Sequence, residues 1–239
     1  MPLTRRTANA LLIAMAAAAT SPARSAGVTR MKIGVIGSGS LGGTVGGLWV
    51  KAGHEVMFSS RHPEELTSLV RPLGPRASTG TAQQAAAFGD VILFAVPYEA
   101  LRDLGSSLRA LLRGKVVLDS CNPSASDHAR LAQELGTNNV GEMSRQLLPE
   151  TRLVRVFSAV DATSAEASFN RRTEKLGVPL AGDDTGAMKT AEQLVRDAGC
   201  EPVVAGNLAT ASRFQRGTPA FRANTTAPEL QRKLRQAEH

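Results

Sequence analysis

The hexapeptide Gly37-Ser38-Gly39-Ser40-Leu41-Gly42 constrains this chain more than any other feature. A G-x-G-x-x-G pattern alone is weak, but its setting here is specific. The run Lys32-Ile33-Gly34-Val35-Ile36 before it reads as a buried strand, and Leu41 to Ala52 after it reads as a helix closed by Gly53. In such a strand–turn–helix unit the first glycine permits the tight turn. The second lets backbone N–H groups approach a pyrophosphate, and the third lets the helix pack against the strand. The helix N-terminus adds partial positive charge at the same place. Gly46 and Gly47 each cost about 1 kcal/mol inside a helix relative to Ala, and close helix–sheet packing is the expected reason for both.

The same alternation continues downstream. Glu55 to Ser59 reads as a strand, Pro63-Glu64-Glu65-Leu66 as a helix start, and Thr81 to Phe88 as a short helix. Asp90 to Val96 is the clearest buried strand, Pro97 to Arg113 reads as helical, and Lys115 to Asp119 is a strand stopped by Asn122-Pro123. This spacing predicts an α/β fold: a Rossmann-type, doubly wound, mostly parallel sheet. Right-handed crossovers would set every strand's carboxyl end on one edge, where such sheets bind ligands. Ser124 to Glu150 reads as a polar excursion with one or two short helices. Strands are expected at Leu153–Phe157, Gly177–Ala181 and Pro202–Ala205, an amphipathic helix at Thr185–Ala198, and a helical stretch from Leu208 to Phe221. Residues 31–123 form the dinucleotide-binding core in this reading. Residues 124–221 extend the same sheet and complete a substrate pocket, and 222–239 form a polar tail expected to fray.

The end of the second strand selects the dinucleotide. An NAD site places Asp or Glu there to accept from the ribose 2′-hydroxyl. This chain has Ser59-Ser60-Arg61-His62 instead. A guanidinium matches a phosphate with its planar fork, in charge-assisted bonds worth about 1.5–3 kcal/mol, and serine hydroxyls can donate to the same oxygens. The reading is NADP(H), with a solvated surface arginine as the alternative. Ala95-Val96-Pro97 and Ser120-Cys121-Asn122-Pro123 end strands on the same edge. Both are placed near the nicotinamide half, where Asn122 is the candidate partner of the carboxamide.

Composition locates the charge. The formal net charge is +7, yet aromatics make up only 4% of the chain, with one Trp and one Tyr, so base stacking on nucleic acid has little to work with. Residues 1–30 have the three-part layout of an export signal. Met1 to Arg6 is a basic start, Thr7 to Thr20 is uncharged and rich in Ala and Leu, and Ser21 to Ser25 offers small residues for cleavage after Ala23 or Ser25. Removing residues 1–25 takes away Arg5, Arg6 and Arg24 and no acid. Arg5-Arg6 suggests the twin-arginine route, which carries folded, cofactor-loaded proteins; Sec export is the other route. This reading places the protein in the periplasm, with no integral membrane segment after processing. The alternative is a start at Met31 and a cytoplasmic protein.

Met31 to Glu65, Ala95-Val96-Pro97 and Gly182-Asp183-Asp184 resemble the NADPH:F-420 oxidoreductases, small deazaflavin reductases related to the cytoplasmic domain of the Steap metalloreductases. The resemblance covers most of residues 31–216. It implies that Gly37 to Gly42 holds the pyrophosphate and that Ser60-Arg61-His62 holds the 2′-phosphate. It also implies that Gly182-Asp183-Asp184 marks the turn before the last crossover. The chain departs from the family in having His62 for a second arginine, Glu65 for a lysine, and Ser158-Ala159-Val160-Asp161 after Phe157. It is also similar to the amino-terminal domain of pyrroline-5-carboxylate reductase. That enzyme's all-helical dimerisation domain is not matched by the strands of the C-terminal part.

Two classes of function follow. One is an NADPH-dependent reductase passing hydride to a flavin, a deazaflavin such as F-420, or a small carbonyl. The other is an NADP(H)-binding redox sensor without turnover. Positioning suffices for transfer to a flavin-like ring, whereas a carbonyl needs a proton donor. Tyr98 after Pro97 is a candidate donor or a packing residue, Cys121 is a pocket or core-edge residue, and His128 a pocket or surface histidine. His54 and His62 are assigned to the adenine end. No His/Cys spacing suits a metal. The expected partner is a small molecule, with self-association as a homodimer left open.

Overall fold

The structure is a computed structural model and describes residues 29–237. The export reading of residues 1–30 falls almost wholly outside that range. The first half runs β1 (Lys32–Ile36), α1 (Ser40–Ala52), β2 (Glu55–Ser59), α2 (Thr67–Val70), β3 (Ala77–Gly80), α3 (Ala82–Phe88), β4 (Val91–Phe94), α4 (Leu101–Ser107), α5 (Arg109–Leu112) and β5 (Val116–Asp119). The second half runs α6 (Ala125–Leu135), α7 (Val140–Leu147), β6 (Arg152–Val156), α8 (Ala162–Phe169), β7 (Gly177–Gly182), α9 (Thr185–Asp197), β8 (Glu201–Gly206) and α10 (Ala227–Gln236).

The eight strands form one sheet in the order β3-β2-β1-β4-β5-β6-β7-β8. This is the expected doubly wound sheet, with the chain reversing its direction of growth between β1 and β4. Strand residues alternate between two cores, as the period of two requires. Ile33, Val35, Val56, Phe58, Leu93 and Leu118 face the side covered by α1, α8 and α9. Ile36, Ile92, Phe94 and Val117 face the side covered by α3 to α7. Trp49 ties α1 to α9 by donating its indole N–H to the Leu194 carbonyl at 2.7 Å.

Several expectations need correction. β7 pairs antiparallel with β6, and β8 runs parallel to β7, so only β1 to β6 end on the ligand edge. Gly182-Asp183-Asp184 therefore lies at the opposite edge, where Asp184 caps α9 and accepts from Arg152 at 2.7 Å. A further edge strand, β3, pairs with β2; its sequence Ala-Ser-Thr-Gly lacks the apolar run that marks the others. The helix expected from Pro97 to Arg113 is a 3-10 turn followed by α4 and α5, and the stretch after Leu208 is a 3-10 helix ending at Phe214. The tail does not fray from residue 222. Leu230 and Leu234, spaced to share one helix face, bury α10 in a third core with Val203 and Phe214.

Candidate functional site

The carboxyl edge of β1 to β6 carries every residue singled out for cofactor binding. Each glycine of the turn meets a different demand. Gly37 has φ +97°, in the region that favours glycine, and a Cβ there would overlap the Ala95 carbonyl. A Cβ on Gly42 would overlap the Gly37 carbonyl and press on the Ala95 methyl group at 3.1 Å. Gly39 is the opposite case, with nothing within 4 Å of the added atom. The backbone is thus bare on its outer side at the point where α1 begins. Gly39 is also the residue flanking α1, with no side-chain cap on the helix and no acid in its first turn. The free N–H groups of Ser40, Leu41 and Gly42 and the positive helix end suit a phosphate. Of the two later glycines, Gly46 is needed, because its Cβ would sit 2.5 Å from the Phe58 ring; Gly47 is not, since Leu73 stands 3.7 Å away.

The turn is locked to the end of β2. Ser38 donates both its N–H (3.2 Å) and its hydroxyl (3.0 Å) to the Ser59 carbonyl. Ser59 is buried. Ser60 accepts from the His62 N–H at 3.1 Å, which shapes the corner that presents Arg61. Arg61 is exposed and has no hydrogen bond or ion pair with the described residues. The His62 ring lies 3.5 Å from Glu64, both exposed. The corner offers an unspent guanidinium beside the bare glycine turn, which is what a ribose 2′-phosphate requires. His54 is not part of this end. It sits buried at the opposite edge, before β2, between the Met31 N–H and Asp197, 3.0 Å away. A residue immediately before a parallel strand lies at its amino end.

The other half of the edge is built from the ends of β4, β5 and β6. Ala95 underlies the glycine turn, and Val96 and Pro97 lead away from it, Pro97 exposed. Tyr98 turns inward. Its hydroxyl pairs with Ser144 at 2.9 Å, and burial, reinforced by the Asp119 carboxylate, pushes its phenol up. It is a packing residue and not a proton donor to solvent. Cys121 is buried too, its thiol pushed up by burial and then by Asp119. His128 lies on exposed α6, 2.9 Å from the Asn138 carbonyl.

Sequence reading missed the cluster beneath this half. Arg155, on β6, is buried opposite Asp119, its register partner on β5. It donates to Asp119 Oδ2 at 2.6 Å, to the Cys121 carbonyl at 2.5 Å and to Asn122 Oδ1 at 3.0 Å. Asp119 Oδ1 accepts the Cys121 N–H at 2.9 Å. Asn122 donates to the Ser158 carbonyl at 2.6 Å. Both polar ends of the Asn122 side chain are thus held within the protein, which takes it away from the carboxamide role first assigned to it. The next residue after β6, Phe157, has φ +58°. Asp161 then holds the C-terminal segment over this edge. It accepts from Arg222 Nε at 2.5 Å and from Asn224 Nδ2 at 2.6 Å. A charge in the middle of Leu-Val-Arg-Val was the one available signal, since it must find a partner when its strand is central.

Fold and site together define the class: a Rossmann-type, doubly wound sheet with a glycine-rich turn opening its first helix. Residues 32–123 match the family described as NADP oxidoreductase, coenzyme F420-dependent, so the resemblance read from the sequence holds for this segment. The chain is 28% identical over 184 residues to the metalloreductase STEAP3 of Rattus norvegicus. That match takes in 77% of this chain but spans only 36% of the relative's length. Among solved structures, a hypothetical protein from Sinorhizobium meliloti superposes with a TM-score of 0.68 at 23% identity, covering 80% of this chain and 92% of its own. A protein described as an F420-dependent NADP-reductase, from Arthrobacter sp. FB24, gives 0.64 at 23% identity over 76% and 87%. A pyrroline-5-carboxylate reductase from Coxiella burnetii gives 0.57 at 14% identity, over 77% and 62%. These three share the fold.

Proposed function

We propose that this protein is an NADPH-dependent oxidoreductase that passes hydride to a flavin, a deazaflavin of the F-420 type, or another small acceptor. The observation that carries the reading is the bare Gly39 turn at an uncapped helix end, set beside the exposed Arg61, which has no partner among the described residues. NADPH, when bound, supplies the hydride. The chain's own residues hold and orient it. The backbone of Gly37, Ser38, Gly39, Ser40, Leu41 and Gly42 takes the pyrophosphate. Arg61, with Ser59, Ser60 and His62 shaping its corner, takes the 2′-phosphate. Ala95, Val96 and Pro97 border the nicotinamide half, over the loop that Asn122 anchors. Tyr98 and Cys121 are buried there and hold their protons, so the edge is better suited to a ring acceptor, where positioning dominates, than to a carbonyl.

The test has two parts. Arg61→Ala should weaken NADPH at least tenfold while leaving NADH within about twofold, since charge-assisted phosphate bonds are worth about 1.5–3 kcal/mol. Equal losses for both cofactors would refute the phosphate assignment. NADPH oxidation should then be followed with F-420, FMN and ferric chelates supplied separately. Turnover on one of them supports the reductase; tight NADPH binding with no turnover on any would make the protein a sensor.

A further inference from the structure

The buried Arg155 cluster lies under the half of the edge that adenine-end contacts do not reach. Three observations bear on its role. Arg155 spends its fork on one short segment: the Asp119 carboxylate, the Cys121 carbonyl and the Asn122 side chain. Asn122 then passes the connection across to the loop after β6, through the Ser158 carbonyl. Two polar atoms of the same cluster, Arg155 Nε and Ser158 Oγ, are buried without a hydrogen-bond partner among the described residues. A cluster built only for stability would have no reason to leave donors unspent in the interior. It fits a cluster whose geometry is set by the loops it must hold.

We propose that Arg155 is a positioning residue for the nicotinamide subsite. Acting through Asp119 and Asn122, it fixes the loop after β5 to the loop after β6, and so fixes the floor on which the nicotinamide riboside rests. The inference rests on the NADP(H) reading of the site above. It assigns the side chain of Asn122 an internal tie in place of direct contact with the carboxamide. Gly37 to Gly42 and Arg61 grip the adenine and phosphate end independently of this cluster. Loosening the tie therefore affects one half of the cofactor and spares the other.

The experiment compares two ligands by calorimetric titration of the full chain: NADPH, and adenosine 2′,5′-bisphosphate, which carries the 2′-phosphate but no nicotinamide. Asn122→Ala is half-buried and carries little folding risk. Arg155→Lys keeps the charge but loses the fork. Both variants should weaken NADPH about tenfold and leave the bisphosphate within twofold of the parent chain. Combining them should weaken NADPH little further, because they cut the same tie. Arg61→Ala is the control, and should weaken both ligands together. If Asn122→Ala and Arg155→Lys lower both ligands equally, or neither, the positioning role is overturned while the NADP(H) reading survives. If the parent chain binds neither ligand, the NADP(H) reading has failed, and the inference fails with it.

Discussion

Gly46 and Gly47 sit side by side in α1, yet substituting them by alanine should move stability in opposite directions. Alanine at either position gains helix propensity, about 0.5–1 kcal/mol. At Gly47 nothing opposes the gain. The added methyl group stands 3.7 Å from Leu73, ordinary contact, at a groove of about 270 Å³ that Gly47 helps to line. Gly47→Ala should therefore stabilise by most of that amount. At Gly46 the methyl group lies 2.5 Å from Phe58 Cε1 and 3.2 Å from Val35 Cγ2. Phe58 is fully buried and cannot swing into solvent, so either the ring or the helix must shift. Overpacking of this kind costs about 1–3 kcal/mol, which leaves a net loss of about 1–2 kcal/mol. For a domain of this size each kcal/mol moves Tm by roughly 2–4 °C, so the variants should melt several degrees apart, on either side of the parent. Urea unfolding without cofactor, with unchanged m-values, measures this directly. Shifts of the same sign for both variants would refute the packing of α1 on β1 and β2 described above.

Two further outcomes follow from particular contacts. Asp184 is held at a pKa of about 2, below its usual 3.8, first by the Arg152 hydrogen bond and then by the Ala187 N–H. A folded-state pKa below the unfolded one gives stability that is present above pH 3.8 and is lost as pH falls towards 2. Asp184→Asn should therefore flatten the acid limb of a stability–pH profile in that window and leave its slope near neutrality unchanged; an unaltered acid limb would contradict the pairing. Leu234→Ala should cost about 2–5 kcal/mol in urea unfolding if α10 is packed, and under about 0.5 kcal/mol if the tail frays.

The parts of the fold that are legible in the sequence are those in which one local pattern admits one structure. The strand runs Lys32–Ile36 and Val91–Phe94 are apolar on both faces, which only a sheet covered on both sides can use. The glycine turn is legible because three glycines at fixed spacing solve three steric problems, each visible at Gly37, Gly39 and Gly42. β3 was illegible because an edge strand of small residues buries little and carries no apolar run. The reversal of β7 was illegible because strand direction depends on which edge the chain re-enters, and Gly177–Gly182 reads the same in either sense. α10 was hidden by its charge: two leucines among polar residues form a narrow stripe, and whether a surface awaits it is a tertiary question. Asn122 shows the same limit at the site. Its position was legible from Asn-Pro after a strand, but its partners belong to β6 and to the loop beyond it.

The Arg155–Asp119 pair raises the question of why a central sheet should hold ions at all. Desolvating both charges consumes most of what their attraction returns, so such a pair is weak evidence for stability. Its members still cannot be removed singly without consequence. Arg155→Met would strand the Asp119 carboxylate, which is fully buried, at a cost of about 3–5 kcal/mol. Arg155→Met combined with Asp119→Leu removes both charges. Relative to the single variant it relieves that stranded charge but leaves the Cys121 N–H, which donates to Asp119 Oδ1, without its acceptor, at about 1–3 kcal/mol. The double variant should accordingly be more stable than the single one, by about 2 kcal/mol in urea unfolding. A double variant no better than the single would mean that the stranded carboxylate is not the source of the loss. If it is more stable and still discriminates poorly between NADPH and the bisphosphate, stability and positioning are separated. The charges would then be held in the sheet for the geometry of the loop after β5, not for the strength of the fold.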